Sequence, residues 1–314
     1  MTTDRILRDI RSAAEAEIAR IGALSKGQVG VTATHLGNGL SLAVAEDAMY
    51  PPCSTVKMPL AVAVLHKVDC GELSLAELVE VRESEMNPAG IGDDYPHPGV
   101  ALSVANLLEA TITRSCNTST DVLFRLVDGP AGVMGYLQRV GLTEFQIEHT
   151  MRAALAVMHE LPLPADDVSM RDFLRGQSYE VLDARNRTNA DFHHDQRDMC
   201  TPRAMQSLLV RLWQGELLRP TTTKLLLGIT SRTVTGAERI RARLAPGMRF
   251  DSKSGSGAGA AVEVGFLTLP GQLGTVALTA FVMGSPLTMA EREAVLADIG
   301  RLLGDYFVVA SGVA

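Results

Sequence analysis

Aromatic residues are scarce in this chain, at 4% of 314 residues, so core volume must come from Leu, Val, Ile, Met and Ala. Cysteines are few: Cys53, Cys70, Cys116 and Cys200, with no C-x-x-C spacing. The N-terminus, Met1-Thr2-Thr3-Asp4-Arg5-Ile6-Leu7, has an early acid and no apolar run, unlike a signal peptide. The four cysteines are therefore expected to be reduced thiols of a cytoplasmic protein, with a disulfide between distant pairs left open. No uninterrupted apolar stretch is long enough to cross a membrane. There is no basic excess: the net charge is −7, which argues against a nucleic-acid surface and for a soluble protein. Internal repeats and low-complexity segments are also missing. What is present is an ordinary hydrophobic share of 46%, enough for a sizeable core in one large domain or two interleaved lobes.

Residues 3–22 carry Ile6, Ile10, Ala14, Ile18 and Ile21 at helical spacing, which predicts an amphipathic helix ending near Gly22. Val29–Leu36 and Leu40–Ala45 flank Asn38-Gly39, a hairpin signal. Met248–Lys253, Ala261–Leu269 and Gly274–Met283 read as strands. Thr288 to Glu291 is a capping box that opens a last helix running to about Leu303. Between these ends, Thr55–Asp69, Ser103–Arg114, Thr118–Leu126, Gly129–Val140 and Pro202–Trp213 read as helices. The expected fold is α+β: an antiparallel sheet with helices from both termini, 1–50 and 230–314, and an inserted all-helical lobe, 51–229.

Three short motifs follow one another: Ser54-Thr55-Val56-Lys57, Ser115-Cys116-Asn117 and Lys253-Ser254-Gly255. If a helix starts at Ser54, its hydroxyl and the Lys57 amine share a face. An amine kept neutral by burial or a neighbouring cation can then take the serine proton. Alone, each motif also reads as a cap or a turn: Ser54 as an N-cap, Ser115 and Asn117 as a second cap. Pro59 is a local oddity past the first turn of that helix.

The ordered set S-x-x-K, S-x-N and K-S-G resembles the signature of class A β-lactamases and penicillin-binding proteins. Thr201-Pro202-Arg203-Ala204-Met205 and Thr235-Gly236-Ala237-Glu238-Arg239-Ile240-Arg241 also resemble family segments, and the similarity runs from about Val29 to Met283. The resemblance implies Ser54 as nucleophile, Lys57 as base for acylation and Ser115 as proton relay to the leaving nitrogen. It implies that Asn117 orients Lys57 and the substrate amide, and that Lys253 supplies positive potential. Ser254 and Arg239 would bind a substrate carboxylate. The backbone N–H groups of Ser54 and Ser256 would form the oxyanion hole, with Gly255 and Gly257 allowing close approach.

The chain departs from the family in one region. Counting back from Asp195-Gln196-Arg197-Asp198, the omega-loop asparagine maps to Asn189. The glutamate that activates the deacylating water maps to Arg185, which cannot serve as a base. His149 stands where an arginine usually pairs with the aspartate matching Asp198. Extra chain follows Thr150, so the omega-like loop spans about 149–200, with helices expected at Met151–Leu161 and Met170–Arg175. Glu180 and Asp183 are the nearest substitute acids, each also readable as a solvated loop face. His193-His194-Asp195 reads as a surface turn in preference to a metal cluster, and His159-Glu160 lacks the second histidine of a zinc-protease motif. Cys116 replaces the usual aspartate of the second motif.

The expected function is a serine hydrolase that cleaves a β-lactam or similar amide through a Ser54 acyl-enzyme. It needs no metal or organic cofactor, and its partner is a small, carboxylate-bearing substrate. The alternatives are an amidase, esterase or D,D-peptidase-like hydrolase of a cellular metabolite, or a covalent penicillin-binding sensor with little turnover.

Overall fold

The computed structural model describes residues 3–313 except 96, 98, 188–191, 193 and 194. In chain order, α1 (Thr3–Leu24), β1 (Gln28–His35) and β2 (Ser41–Val44) precede a 3-10 turn at Cys53–Val56 and α2 (Lys57–Asp69). Next come β3 (Leu78–Glu80), α3 (Ile91–Asp94), β4 (Ala101–Ser103), α4 (Val104–Thr113), α5 (Asn117–Leu126), α6 (Gly129–Arg139) and β5 (Phe145–Ile147). The long loop contains α7 (Met151–Met158), α8 (Met170–Arg175) and α9 (Tyr179–Arg187), and closes at β6 (Asp198–Cys200). The chain ends with α10 (Pro202–Trp213), α11 (Pro220–Thr230), β7 (Arg249–Gly257), β8 (Ala260–Thr268), β9 (Thr275–Met283) and α12 (Met289–Val313).

The termini build one antiparallel sheet in the order β2-β1-β9-β8-β7. Its apolar residues alternate between two cores. Val31, Ala33, Leu278, Ala280 and Val282 face α1 and α12, whose apolar stripes cover that side. Val262, Val264, Ala277 and Phe281 face the helices of the middle, with α2 buried among them. The expected α+β class and sheet are therefore present. The Asn38-Gly39 hairpin is present too, with Gly39 at φ 76°. The capping box forms, with Glu291 N donating to Thr288 Oγ1 and Thr288 N donating to Glu291 Oε2. The last helix continues ten residues beyond the expected end because Leu303, Tyr306, Phe307 and Ala310 keep burying its inner face. Pro59 also has an explanation. It is the third residue of α2, where the backbone N–H has no intrahelical partner in any helix. Helices α3, α9 and α11 and the short strands β3, β4, β5 and β6 were not anticipated. Among the described residues, no helix is long and apolar enough to cross a membrane.

Candidate active site

Three elements converge. The first is the 3-10 turn before α2. Cys53 sits at φ 48°, a costly conformation for a residue with a Cβ. It aims Ser54 out of the turn, while Thr55 Oγ1 donates to Pro52 O at 2.6 Å and closes it. The second is the turn before α5, where Ser115 adopts φ 57°. The third is β7, the edge strand next to the turn. Gly255 is required there: an added Cβ would stand 2.9 Å from both Pro52 O and Ser54 N.

The polar groups of these elements form one network. Lys57 is fully buried. Its Nζ lies 3.2 Å from Ser54 Oγ, 2.8 Å from Ser115 O, 3.1 Å from Ser115 Oγ and 2.7 Å from Asn117 Oδ1. Lys253, also fully buried, donates to Ser115 Oγ at 2.9 Å and to Ser254 O at 2.6 Å. Burial pushes Lys57 down to about 7, opposed by the Cys116 sulfur and the Asp121 carboxylate. Lys253 is lowered too, by burial and then by the Lys57 and Arg239 charges. Two ammonium groups sharing one hydroxyl in a dry site repel each other. Near neutral pH the pair thus supplies an unprotonated amine beside Ser54. Cys53 is no competing nucleophile, because burial pushes its thiol up to about 12.

The expected residues Ser54, Lys57, Ser115, Asn117 and Lys253 thus meet. Ser254 joins them through a 2.7 Å hydrogen bond from its Oγ to Thr235 Oγ1. Asn189 lies outside the described residues, as do His193 and His194. Arg239 meets the site at Ser256, the residue after the Lys253-Ser254-Gly255 motif. It is buried behind β7, donating to Gly255 O, Val262 O and Ser256 Oγ and facing Glu293. With those partners it braces the β7–β8 edge and reaches the site only through Ser256 Oγ. A different arginine, Arg292, lines a cleft of about 360 Å³ with Ser256, Gly257, Thr288, Met289, Met158 and Asp183. It donates to Gly257 O and Ala260 O. It carries no motif, so only the packing of α12 on the sheet reveals it. Cys116 Sγ caps α5 as a soft acceptor for Ser119 N and also takes Ile91 N.

The loop differs from the rest of the site. His149 does pair with Asp198, Nδ1 to Oδ2 at 2.5 Å, and Asp198 Oδ1 accepts the N–H groups of Glu148 and His149. That carboxylate, first through the hydrogen bond, raises the His149 pKa. Beyond this clasp, Met151, Ala154 and Val157 of α7 line a small pocket together with Pro52, Cys53 and Val56. The acids in this lining, among the described residues, are Asp195 and Asp198. The first is held by Arg197 and the second by His149. Arg185 turns to the α7 end, donating to His159 O and Glu160 O. Glu180 is exposed and takes Ser178 Oγ, whereas Asp183 lines the Arg292 cleft. Asp121 was not anticipated. It is buried on α5, one turn after Asn117, and accepts Met151 N at 2.6 Å, Arg152 N at 2.9 Å and Asn87 Nδ2 at 2.9 Å.

Residues 13–307 match the family profile described as the Beta-lactamase enzyme family. Among curated proteins the chain is similar to Beta-lactamase VEB-1 of Pseudomonas aeruginosa, 25% identical over 98% of this chain and 91% of that protein. It is also similar to Beta-lactamase L2 of Stenotrophomonas maltophilia, 27% identical over 94% of this chain and 86% of that protein. Among solved structures, a β-lactamase from Chitinophaga pinensis superposes with a TM-score of 0.77 at 27% identity, covering 93% of this chain and 98% of the other.

Proposed function

The chain belongs to the beta-lactamase enzyme family, and from that membership we propose that it opens β-lactam amides through an acyl-enzyme on Ser54. The observation that carries the proposal is the meeting of Ser54, Lys57, Ser115 and Lys253 within 3.2 Å contacts. Unprotonated Lys57 takes the Ser54 proton as Oγ attacks the lactam carbonyl. The developing oxyanion is held by the backbone N–H groups of Ser54 and Ser256, each such donor stabilising the transition state by about 3–4 kcal/mol. The proton then passes from Lys57 to Ser115 Oγ, and from Ser115 to the leaving nitrogen. Lys253, Ser254 and Thr235 receive the substrate carboxylate, with Arg292 adding positive charge at the far side of β7.

Release is the slow half of this cycle. The pocket beside the nucleophile turn is mostly apolar, lined by Met151, Ala154, Val157, Cys53 and Val56, and its two acids are paired. The test is labelling by a fluorescent penicillin, followed by stopped-flow with nitrocefin and intact mass. Ser54→Ala should abolish labelling, and the wild-type adduct should persist through turnover. Labelling that survives the substitution overturns the nucleophile. Rapid multiple turnover without a trapped adduct overturns slow release, and a hydrolysed ester or D-amino-acid amide with inert nitrocefin favours the amidase alternative.

A further inference from the structure

Resting on the acylation chemistry above, we propose that Glu263 is a positioning residue for substrate-carboxylate recognition: it clasps segment 235–240 to the sheet and so orients the Ser254 and Thr235 hydroxyls. Glu263 lies on β8 directly opposite Ser254 of β7 and is fully buried. A carboxylate in that position needs partners, and each of its oxygens has one. Ser252 Oγ donates to Oε1 at 2.7 Å, and Ile240 N donates to Oε2 at 3.0 Å. One bond thus goes to β7 and the other to the segment beside it. The charges around Glu263 are Arg239, Arg241 and Lys253, and each has partners of its own. Arg239 gives its Nε to Glu293 and its other nitrogens to Gly255 O, Val262 O and Ser256 Oγ. Arg241 donates to Thr233 O and Thr235 O, and Lys253 to Ser115 Oγ and Ser254 O. Burial raises the Glu263 pKa, against the pull of Ser252 and the arginines. Its task rests on shape and hydrogen bonding rather than on its charge.

The clasp sits next to the hydroxyl pair. Gly236 shows how closely: it has φ 74°, and an added Cβ would stand 2.6 Å from Glu263 Oε1 and 3.1 Å from Ser254 Cβ. The chain at Gly236 therefore lies against the carboxylate and against Ser254 at once. Thr235 comes immediately before it, half-buried, and accepts the 2.7 Å hydrogen bond from Ser254 Oγ. The segment is tied elsewhere by Val234 N to Thr113 O at 3.0 Å and closed on itself by Arg239 N to Gly236 O at 3.2 Å. Glu263 is the side chain that holds it from β8. Without that hold, the turn at Gly236 can lift and Thr235 Oγ1 loses its fixed place. Ser54, Lys57 and Ser115 keep theirs, because their hydrogen bonds run to one another, to Asn117 and to Lys253. The loss falls on affinity for the carboxylate, not on the acylation step.

The experiment measures saturation kinetics of labelling in the full chain, by a fluorescent penicillin and by the methyl ester of its ring carboxylate. Both carry the same lactam, so the ester reports acylation without carboxylate recognition. Glu263→Gln loses the charge but keeps both bonds, with Oε1 accepting Ile240 N and Nε2 donating to Ser252 Oγ. Glu263→Ala loses the charge and both bonds, so the comparison of the two variants isolates the clasp. Relative to Glu263→Gln, Glu263→Ala should raise the half-saturating concentration of the acid about tenfold. Its limiting rate, and both constants for the ester, should match those of Glu263→Gln. Equal losses for acid and ester overturn the proposal, and so does a Glu263→Gln as impaired toward the acid as Glu263→Ala. If Glu263→Ala does not fold, Ser252→Ala removes one leg of the clasp and should show the same selective loss, about threefold. An equal loss for both labels in that variant overturns the proposal too. A wild-type chain that takes acid and ester equally well overturns the parent reading of Ser254 and Thr235 as the carboxylate site. One that takes neither label overturns the acylation proposal itself.

Discussion

The two walls around Ser54 are built on opposite principles. On the β7 and α5 side, Lys57 and Lys253 are fully buried, Ser54, Ser115 and Asn117 are half-buried, and the groups are bonded to one another: Lys57 alone has four oxygen neighbours within 3.2 Å. On the α7 side the contacts are Met151, Ala154 and Val157, and beyond them α7, α8 and α9 share a small core of Ala156, Met170 and Leu174. The first wall must hold a geometry in which an amine gives up its proton. The second lines a small, mostly apolar pocket whose two acids are already paired. Arg152 shows how the second is assembled: its guanidinium clasps Pro164 O, Ala165 O, Val168 O and Asp166. That is a structural use for a residue near the site. The contrast teaches that acylation and release are served by separable pieces of chain.

The largest effect expected from breaking the contrast is complete loss of labelling in Ser54→Ala. Next is Lys57→Met, which keeps the volume and removes the base. Acylation should fall by about 10²–10⁴, while the melting temperature stays level or rises because a buried amine is gone. A fall of less than about tenfold would move the base to Lys253. The wall itself can be challenged with Met151→Glu, which places a carboxylate against the nucleophile turn. Its apolar surroundings should raise that acid's pKa toward the range of a general base. Decay of the adduct, followed by intact mass, should quicken by about tenfold or more, and an unchanged lifetime would show that release is limited elsewhere. The smallest effect concerns the clasp. The His149 pKa is raised in the folded chain, so its contribution is complete below the unfolded value of about 6.5 and fades as pH rises through the folded one. Amide protection factors, which divide out the intrinsic base-catalysed rate, should be higher around Glu148, His149 and α7 near about pH 6.5 than near about pH 9. His149→Ala should erase that difference.

The two walls were also unequally legible in the sequence. The hydrophobic periods of the terminal segments gave the sheet and its helices, because each element has a single buried face. Ser54, Lys57, Ser115, Asn117 and Lys253 were legible because short local geometry fixes them: a turn, a cap and an edge strand. Arg239 was read as a carboxylate ligand from its motif; that its guanidinium reaches Ser256 Oγ and also braces the β7–β8 edge is a tertiary arrangement no motif announces. Arg185 was placed opposite the missing glutamate by counting from the loop's end. An insertion makes such counting ambiguous, and the chain sends that side chain to the end of α7. Asp121 and Arg292 were missed for a related reason. Their roles arise from tertiary neighbours, here the α7 N-terminus and the β7–β8 edge, which no spacing announces.

The His149–Asp198 clasp joins residues 49 apart. Because the two ends are held together, the chain between them behaves as a cassette. Each doubling of such a closed segment costs only about 0.6 kcal/mol in loop entropy. Chain can thus be added or removed between the clasped ends at little entropic cost, provided the α7 residues that share a pocket with Pro52, Cys53 and Val56 are kept. How long a captured molecule stays attached becomes a trait that evolution, or a protein engineer, can tune by swapping one segment.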